Sequence, residues 1–396
     1  MIYLDNNATT PIDPEVLDAM LPYLKEEYGN PSSRYYTLAR NAEKAVENAR
    51  EQVATLINAK PKEIIFTAGA SESNNFILKG VADYSKYYGS GANHIITSTV
   101  EHKSILQTCK CLNGEVFWNK SDKTISARYL KKKNNASKVD RGYEVTFLPV
   151  NRYAQVESTQ FQDSIQDNTL IASFMWGNNE IGSLNDIDTL SHIAKAHNVL
   201  FHSDATQVLG KIDIDVTKIP VDFLSMSAHK LYGPKGVGAA FIRQSGLTNY
   251  RLTSLIHGGL QEDGYRAGTS AVHNIVGFGK ACEIANKNLQ TYIAKLTQQE
   301  LELKKLLKEK YPKIIFLGDP NNHIPGVIGM LIPGIVNDLF IKDLSEKEIC
   351  AISSGSACGI GEPSYVISEI GLADQSSSFL RISINKFTEK ITQLPF

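Results

Sequence analysis

The sequence predicts an α/β protein built on a mostly parallel sheet, and three observations favour this class. From about residue 40 to 245, short apolar runs alternate with amphipathic stretches, the pattern of strands joined by crossover helices. The chain of 396 residues is long enough for two packed domains with a sizeable core. Its composition, 42% apolar and 21% charged, is ordinary for a soluble globular protein.

The elements can be assigned in order along this pattern. The apolar runs are three to six residues long, which is too short for helices and typical of strands. The predicted strands are Ile64–Phe66, His94–Ser98, Val145–Pro149, Leu170–Met175, Val199–His202, Phe223–Ser225 and Gly238–Ile242. The predicted helices are Leu38–Ile57, Ser71–Tyr87, Ser104–Leu112, Asp186–His197 and a long one over Ser270–Lys310. Shorter strands and helices of a second domain follow.

The charge, the cysteines and the N-terminus exclude several classes. A net charge of -1 provides no overall attraction to nucleic acid or membrane. Five cysteines without a CxxC pair argue against a disulfide framework and for a reducing compartment. Residues 1–5 carry no signal-peptide pattern, and no apolar stretch approaches the ~18 residues that span a bilayer. We therefore expect a cytoplasmic protein without a membrane segment.

Residues 119–141 interrupt the alternation with a basic, polar segment. The segment holds eight basic residues against two acidic ones. One interpretation is a solvated surface insertion. The other is a docking site for an acidic protein partner or for a nucleic-acid backbone. The sequence leaves both open.

Lys230 and Asp204 follow two apolar strands and suggest a specific cofactor. Ligands bind outside the carboxyl ends of strands in such sheets, so a lysine and an aspartate there lie close together. Pyridoxal phosphate (PLP) needs this pair: a lysine for the Schiff base, and an aspartate that keeps the pyridinium nitrogen protonated. The sequence therefore predicts a PLP enzyme that acts on an amino acid.

A phosphate site is predicted at the start of the helix that follows Phe66. Ala70 and Ser71 open this helix, whose amides can bind a phosphate that small residues allow to approach. Ser227 and His229, next to Lys230, can add a hydroxyl and an imidazole. An ordinary N-cap at Ser71 and a plain turn after the strand are the alternatives.

Three further side chains stand where they can bind or turn over a substrate. His102 follows a strand and precedes a helix, which suits a ring that stacks on the cofactor and exchanges a proton with a thiol. Asn179 lies in a turn after another strand and can bond the cofactor or a carboxylate; an Asn-rich turn is the alternative. Arg381, inside an apolar strand pattern, needs an anion, either a substrate carboxylate or a structural Asp or Glu.

Cys358 lies in a segment of small and polar residues, 352–364, that contains three glycines. Such surroundings predict an exposed and mobile thiol. Because an exposed thiol is open to oxidation, its presence favours a functional use over an incidental surface cysteine.

Together these motifs resemble the cysteine desulfurases, PLP enzymes of the class V aminotransferase superfamily. The resemblance covers nearly the whole chain. It is carried by the motifs at 3–11, 29–33, 70–75, 101–102, 178–182, 204–207, 227–230, 266–269 and 353–358. It implies the type I fold of PLP-dependent transferases: a large PLP domain over residues 15–257 with a mostly parallel seven-stranded sheet, and a smaller α+β domain from residues 1–14 and 258–396.

The resemblance also implies a role for each site residue. Lys230 would hold PLP, Asp204 would pair with its ring nitrogen, and His102 would stack on the ring. Gln207 would contact the phenolic oxygen, and Asn179 and Arg381 would hold the substrate carboxylate. Phosphate would be bound by Ser71, Ser227 and His229 and by Thr269 from the second subunit of a homodimer. Cys358 would accept sulfur from L-cysteine as a persulfide and pass it to an acceptor protein or thiol.

The pathway and the reaction class leave alternatives. Sulfur for iron–sulfur clusters, for tRNA thiolation or for DNA phosphorothioation would all fit. A selenocysteine lyase or another PLP-dependent β-lyase is the second enzyme class, and plain elimination needs no protein thiol such as Cys358. A scaffold without catalysis that recruits partners through residues 119–141 does not explain why Lys230, Asp204 and His102 are present. Between Cys358 and residues 362–364 the chain has about two residues fewer than is common in the cysteine desulfurases with a long mobile loop. A shorter loop reaches less far, so we expect the acceptor to dock closer to the site.

Overall fold

The computed structural model describes residues 2–33, 35–115, 140–244, 252–347, 350–355 and 363–389. Its strands are β1 (Ile2–Tyr3), β2 (Ile64–Thr67), β3 (His94–Ser98), β4 (Glu144–Leu148), β5 (Thr169–Met175), β6 (Leu200–Asp204), β7 (Phe223–Ser227), β8 (Gly238–Ile242), β9 (Ile315–Leu317), β10 (Val327–Leu331), β11 (Cys350–Ala351) and β12 (Phe379–Ser383). Its α-helices are α1 (Pro14–Lys25), α2 (Thr37–Leu56), α3 (Ala70–Tyr88), α4 (Lys103–Leu112), α5 (Ser158–Ser164), α6 (Ile187–Ala196), α7 (Val272–Lys310), α8 (Asn337–Glu346) and α9 (Tyr365–Glu369).

Seven strands form the central sheet in the order β2-β8-β7-β6-β5-β3-β4. All neighbours are parallel except β8, which runs antiparallel to both β2 and β7. The mostly parallel seven-stranded sheet is therefore confirmed, and each of the seven predicted strands lies within one or two residues of its expected place. Nearly every residue of β3 and of β5 to β8 is buried, because helices cover both faces of the sheet.

Successive residues of a strand face opposite helical layers. Ile96 and Ala239 belong to the core that includes residues of α1, α2 and the first part of α7. Their neighbours Ile95 and Ala240 belong to the core that α3 and α4 cover. This period of two along strands that read as continuous apolar runs is the expected geometry of a sheet between two layers.

A separate core surrounds the antiparallel sheet β12-β10-β9. Leu4 from the N-terminal end packs there with Leu303 and Leu307 of α7 and with Leu344 of α8. The 39-residue α7 connects this core to the one that includes α1 and α2, where its residues Phe278 and Cys282 pack. Leu4 and Leu380, near opposite ends of the described chain, therefore pack in one core.

The polar ends of the parallel strands determine where a site can form. Because β2, β3, β5, β6 and β7 point the same way, the residues that follow them meet at one edge of the sheet. The basic segment 119–141 lies outside the described residues apart from Asp140 and Arg141. It precedes the amino end of β4 at Glu144, which belongs to the opposite edge. Among the described helices, none combines the length and the apolar character needed to cross a bilayer.

Candidate active site

A cavity of about 570 Å³ lies at the carboxyl ends of the central strands. It brings together ten of the residues predicted for the site: Ala70, Ser71, His102, Asn179, Asp204, Gln207, Ser227, His229, Lys230 and Arg381. These residues come from separate strand ends and from β12, so the parallel sheet and the C-terminal sheet build the walls jointly. The described residues contain no group of three or more His, Cys, Asp or Glu side chains arranged to hold a metal ion.

Lys230 ends a short 3-10 turn, Ala228–Lys230, that directly follows β7. Its side-chain nitrogen donates to the backbone carbonyls of Asn7 (2.5 Å) and Ala8 (2.6 Å). These acceptors belong to the N-terminal segment that follows β1, which lies across the cavity. The amine is thus held by peptide oxygens, which bond a lysine without neutralising its charge.

A chain of hydrogen bonds joins Asp204 to His102. Asp204, at the end of β6, accepts from the side chain of Asn74 at 2.9 Å, and the same amide nitrogen donates to Ser104 at 2.8 Å. Ser104 Oγ lies 2.8 Å from His102 Nδ1, and the Ser104 amide donates to that nitrogen at 3.1 Å. Since a backbone N–H can only donate, Nδ1 is the acceptor and a neutral His102 carries its proton on Nε2.

The start of α3 forms a seat for an anion. Gly69 precedes the helix with φ +151°, and a Cβ added there would come within 3.8 Å of Ser227 Oγ, so the hydroxyl faces the helix start. His229 adds its imidazole and contacts Thr9 Oγ1 through Nδ1 at 3.1 Å. Burial and then the nearby Lys230 lower the pKa of His229 to about 4, so this ring is neutral at pH 7. Helix amides, a hydroxyl and an imidazole together suit a phosphate.

Three polar side chains face the cavity with unsatisfied atoms. Asn179 Oδ1, Gln207 Oε1 and Arg381 Nε are buried and have no hydrogen-bond partner within the described chain. Arg381 is 1% exposed; it donates to the Asn179 carbonyl at 2.9 Å and forms an ion pair with Asp5 at 2.5 Å. The interpretation as a structural ion pair is met by Asp5, which takes one guanidinium nitrogen, and Nε has no partner among the described residues.

Two residues predicted for the site, Thr269 and Cys358, are not among the described residues that line the cavity. Thr269 is exposed and does not line the cavity of its own chain. Cys358 lies outside the described residues, but both flanks of its segment are anchored at the site. Ser353 pairs with Arg381 through two backbone hydrogen bonds, and Tyr365 donates to the Glu101 carbonyl at 2.7 Å. The described residues that flank the predicted sulfur acceptor thus contact Arg381 on one side and Glu101, the residue before His102, on the other.

The structure adds site residues that the sequence argument did not assign: Asn7, Asn74, Glu101, Ser104 and Lys211. Glu101 is fully buried and accepts from Ser98 Oγ (2.6 Å) and from the Met175 amide (2.9 Å). Burial, the largest cause, raises the pKa of Glu101 to about 8, so its carboxyl group is mostly protonated at neutral pH. The position of Glu101 directly before His102 was the sequence signal that could have assigned it to the site.

Comparison with known proteins identifies the family of this chain. The profile described as class-V aminotransferase matches residues 2–135 and 131–391. "Cysteine desulfurase IscS" of Plasmodium falciparum is 42% identical over 390 residues, which are 98% of this chain and 65% of that protein. The human "Cysteine desulfurase" is 39% identical over 98% of this chain and 78% of its own length. The chain thus spans about two thirds of the first relative's length. A solved structure described as "SspA in complex with cysteine" shares 32% identity, with a TM-score of 0.79 over 98% of this chain and 100% of that one.

Proposed function

The chain belongs to the class-V aminotransferase family and, within it, to the cysteine desulfurases, and from that membership we propose that it converts L-cysteine to L-alanine and transfers the sulfur to Cys358. The observation that carries the proposal is that one cavity holds Lys230, Asp204, His102 and Arg381, whose Nε has no partner among the described residues. The related SspA structure, described as a complex with cysteine, supports the same substrate.

The residues of the cavity fit PLP as the cofactor. Asp204 is fixed by Asn74 and by the Thr206 amide (3.0 Å), and it would hold the pyridinium nitrogen. The seat at Gly69, Ser227 and His229 would take the phosphate. The Gln207 side chain, whose Oε1 has no partner among the described residues, would donate to the phenolic oxygen through its nitrogen after a flip of the amide group. When bound at Lys230, PLP supplies an electron sink that stabilises negative charge on the substrate carbon.

Arg381 and Asn179 would bind the substrate carboxylate. Arg381 Nε is a buried donor without a partner in the described chain, and an anion would remove the cost of leaving it unsatisfied. Asn179 contributes its side-chain amide, whose nitrogen and oxygen can exchange places by a flip of the group. Because the Asn179 carbonyl also accepts from Arg381, the two residues form one rigid unit.

Lys230 and His102 would move the protons. The Lys230 amine takes the proton from the substrate α-carbon, and the Asn7 and Ala8 carbonyls stabilise the ammonium that results. His102 is held by Ser104 through Nδ1, and its Nε2 would exchange a proton with the substrate thiol. The bond to Ser104 fixes the orientation of the ring.

The sulfur step would use Cys358. Its thiolate attacks the substrate sulfur, so that an S–S bond forms while the bond between that sulfur and the β-carbon breaks. The electron pair of the broken bond stays with the β-carbon, which is protonated and becomes the methyl group of alanine. Cys358 is left as a persulfide, so the atoms of cysteine and one thiol balance those of alanine and one persulfide.

A sulfur-acceptor protein or thiol would then collect the sulfur, for iron–sulfur clusters, for tRNA thiolation or for DNA phosphorothioation. The basic segment 119–141 is the proposed contact for an anionic acceptor such as nucleic acid or an acidic protein. A PLP-dependent β-lyase, including one that acts on selenocysteine, is the second candidate, and the two differ in their need for Cys358.

Alanine release tests the proposal. Purified protein is supplied with PLP, L-cysteine and a reducing thiol, and native chain is compared with Cys358→Ala. We expect alanine and a protein persulfide from the native chain and almost none from the variant, because plain elimination is not the reaction. Cys111→Ala, a half-buried thiol on α4, is the matched control and should behave as native.

Two results would contradict this function. Equal alanine release by native chain and Cys358→Ala would favour a lyase instead. Retention of the visible absorbance of lysine-bound PLP in Lys230→Ala would remove Lys230 from its assigned role. Mass spectrometry of the native chain after turnover should show a gain of one sulfur atom on the peptide that contains Cys358.

A further inference from the structure

Lys211 is a buried lysine at the edge of the active site that the proposed reaction has not used. It follows the segment after β6 and is 8% exposed. Among the described residues, no carboxylate lies within ion-pair distance of its amine, which instead donates to Asn7 Oδ1 at 3.4 Å. Burying a charged amine without a carboxylate is unfavourable, so its surroundings need an explanation.

Asn7 connects Lys211 to the centre of the cavity. Its side chain accepts from Lys211 and donates to the Asn179 carbonyl at 3.1 Å, while its own carbonyl accepts from Lys230 at 2.5 Å. The backbone N–H of Asn7 donates to Ser383 Oγ at 2.9 Å, which fixes this residue in turn. Lys211 therefore bonds the side chain of the residue whose peptide oxygen receives the Lys230 amine.

Cations dominate the surroundings of Lys211. The titratable and charged groups that interact with it or share its small adjoining cavity are Lys230, Arg381, His229, Tyr232, Tyr292 and Lys386. Arg381 is paired with Asp5 and Lys386 with Asp13, so their charges are compensated locally. Burial first, and then the charges of Lys230 and Arg381, lowers the pKa of Lys211 to about 7. A charge on Lys211 therefore acts on Lys230 most directly.

We propose that Lys211 is a positioning residue for Lys230: it holds Asn7, whose carbonyl receives the Lys230 amine, and in its protonated form its positive charge opposes protonation of that amine. An amine with a lower pKa is present as the free base in a larger fraction at neutral pH, so more of it is ready to take the substrate α-proton. The inference rests on the proposed function, in which Lys230 holds the cofactor and moves this proton.

Neutral substitutions at Lys211 test the charge. The protonation of the cofactor bound to Lys230 is followed in the holoenzyme by a pH titration of its visible absorbance band. In Lys211→Met and Lys211→Gln we expect the midpoint to rise by about one pH unit, because a nearby like charge has been removed. The acid limb of kcat should move in the same direction, while KM for cysteine changes little. Using two neutral side chains keeps the test valid if one variant does not fold.

Two further variants separate the charge from a packing role. Lys211→Arg keeps a cation and should restore the native midpoint. Lys195→Met, on the exposed surface of α6, removes a lysine charge far from this network and should leave the titration unchanged. A neutral variant with a native midpoint and only a lower melting temperature would overturn the inference and make Lys211 a structural residue.

Failure of the proposed function would look different. If the native chain shows no band from lysine-bound cofactor, both the function and the role of Lys211 are wrong. If the band is present and no alanine is released, the reaction is wrong, and the midpoints of the Lys211 variants still decide the role of this lysine.

Discussion

At the scale of single residues, the site residues divide into those that stand at the ends of strands and those that lie in helices. Lys230, Asp204 and His102 could be predicted because each stands just beyond an apolar strand, where a parallel sheet binds ligands. Asn74 and Ser104 lie in the first turns of α3 and α4, where the sequence gives only helix. Their bonds to Asp204 and His102 exist only once both helices are docked.

Glu101 makes folding stability depend on pH. Its pKa is raised by burial from 4.5 to about 8, so its stabilising contribution is complete below pH 4.5 and is lost as the pH rises through 8. Glu101→Gln removes this titration. Between pH 5 and 8 the native chain should lose unfolding free energy relative to the variant. We expect this difference to grow by at most about 1.4 kcal/mol per pH unit.

Chemical denaturation at pH 5, 6.5 and 8 measures this difference. Glu144→Gln, on the exposed first residue of β4, is the matched control and should not show it. Parallel stability curves for Glu101→Gln and the native chain would mean that the Glu101 carboxyl group is not protonated in the folded protein at neutral pH.

At the scale of elements, local signals predicted the strands and long helices but not their arrangement. The helix α1 begins with Asp13 as its N-cap and Pro14 at its first position, a signal present in the sequence that the prediction did not use. The reversed direction of β8 has a local cause as well. The ten residues between β7 and β8 are too few for a crossover helix, so the strand returns antiparallel. The order of the other strands depends on packing across the sheet.

Gly238, at the start of β8, keeps the anion seat in place. A Cβ there would meet the Met226 carbonyl oxygen at 2.4 Å and the Gly69 Cα at 2.7 Å. Gly238→Ala should therefore lower the unfolding free energy by about 1–3 kcal/mol. It should also weaken PLP binding, because Gly69, at the start of the phosphate seat, must shift. Denaturation and the cofactor dissociation constant measure the two effects.

Gly142→Ala controls for backbone strain alone. Gly142 has φ +82°, and an added Cβ would meet no atom within 4 Å, so this variant strains the backbone without crowding a neighbour. It should lose stability and keep its affinity for PLP. Unchanged PLP affinity in Gly238→Ala as well would show that the approach of β8 to Gly69 does not shape the phosphate seat.

At the scale of the whole molecule, the sheet was predictable and the closure of the cavity was not. Alternating strands and helices were enough for a mostly parallel sheet with a site at its carboxyl edge. The walls also need both ends of the chain: Asp5 pairs with Arg381, and Asn7 bonds Ser383. Such contacts join residues more than 370 positions apart, so no local sequence pattern predicts them. Only the resemblance to a family indicated that the two ends belong together.

The exposed position of Thr269 leads to a prediction about the assembly. If Thr269 binds phosphate in the site of a second copy, Lys230→Ala and Thr269→Ala are defects of different chains at one site. A mixed dimer then has one site with both defects and one intact site, which combines Lys230 of the Thr269→Ala chain with Thr269 of the Lys230→Ala chain. Mixing the two weakly active variants should therefore restore alanine release, with up to one active site per mixed dimer. Differently tagged chains, co-expressed and purified through both tags, allow the measurement. If the mixed dimers show only the average of the parent activities, each chain carries a complete site of its own.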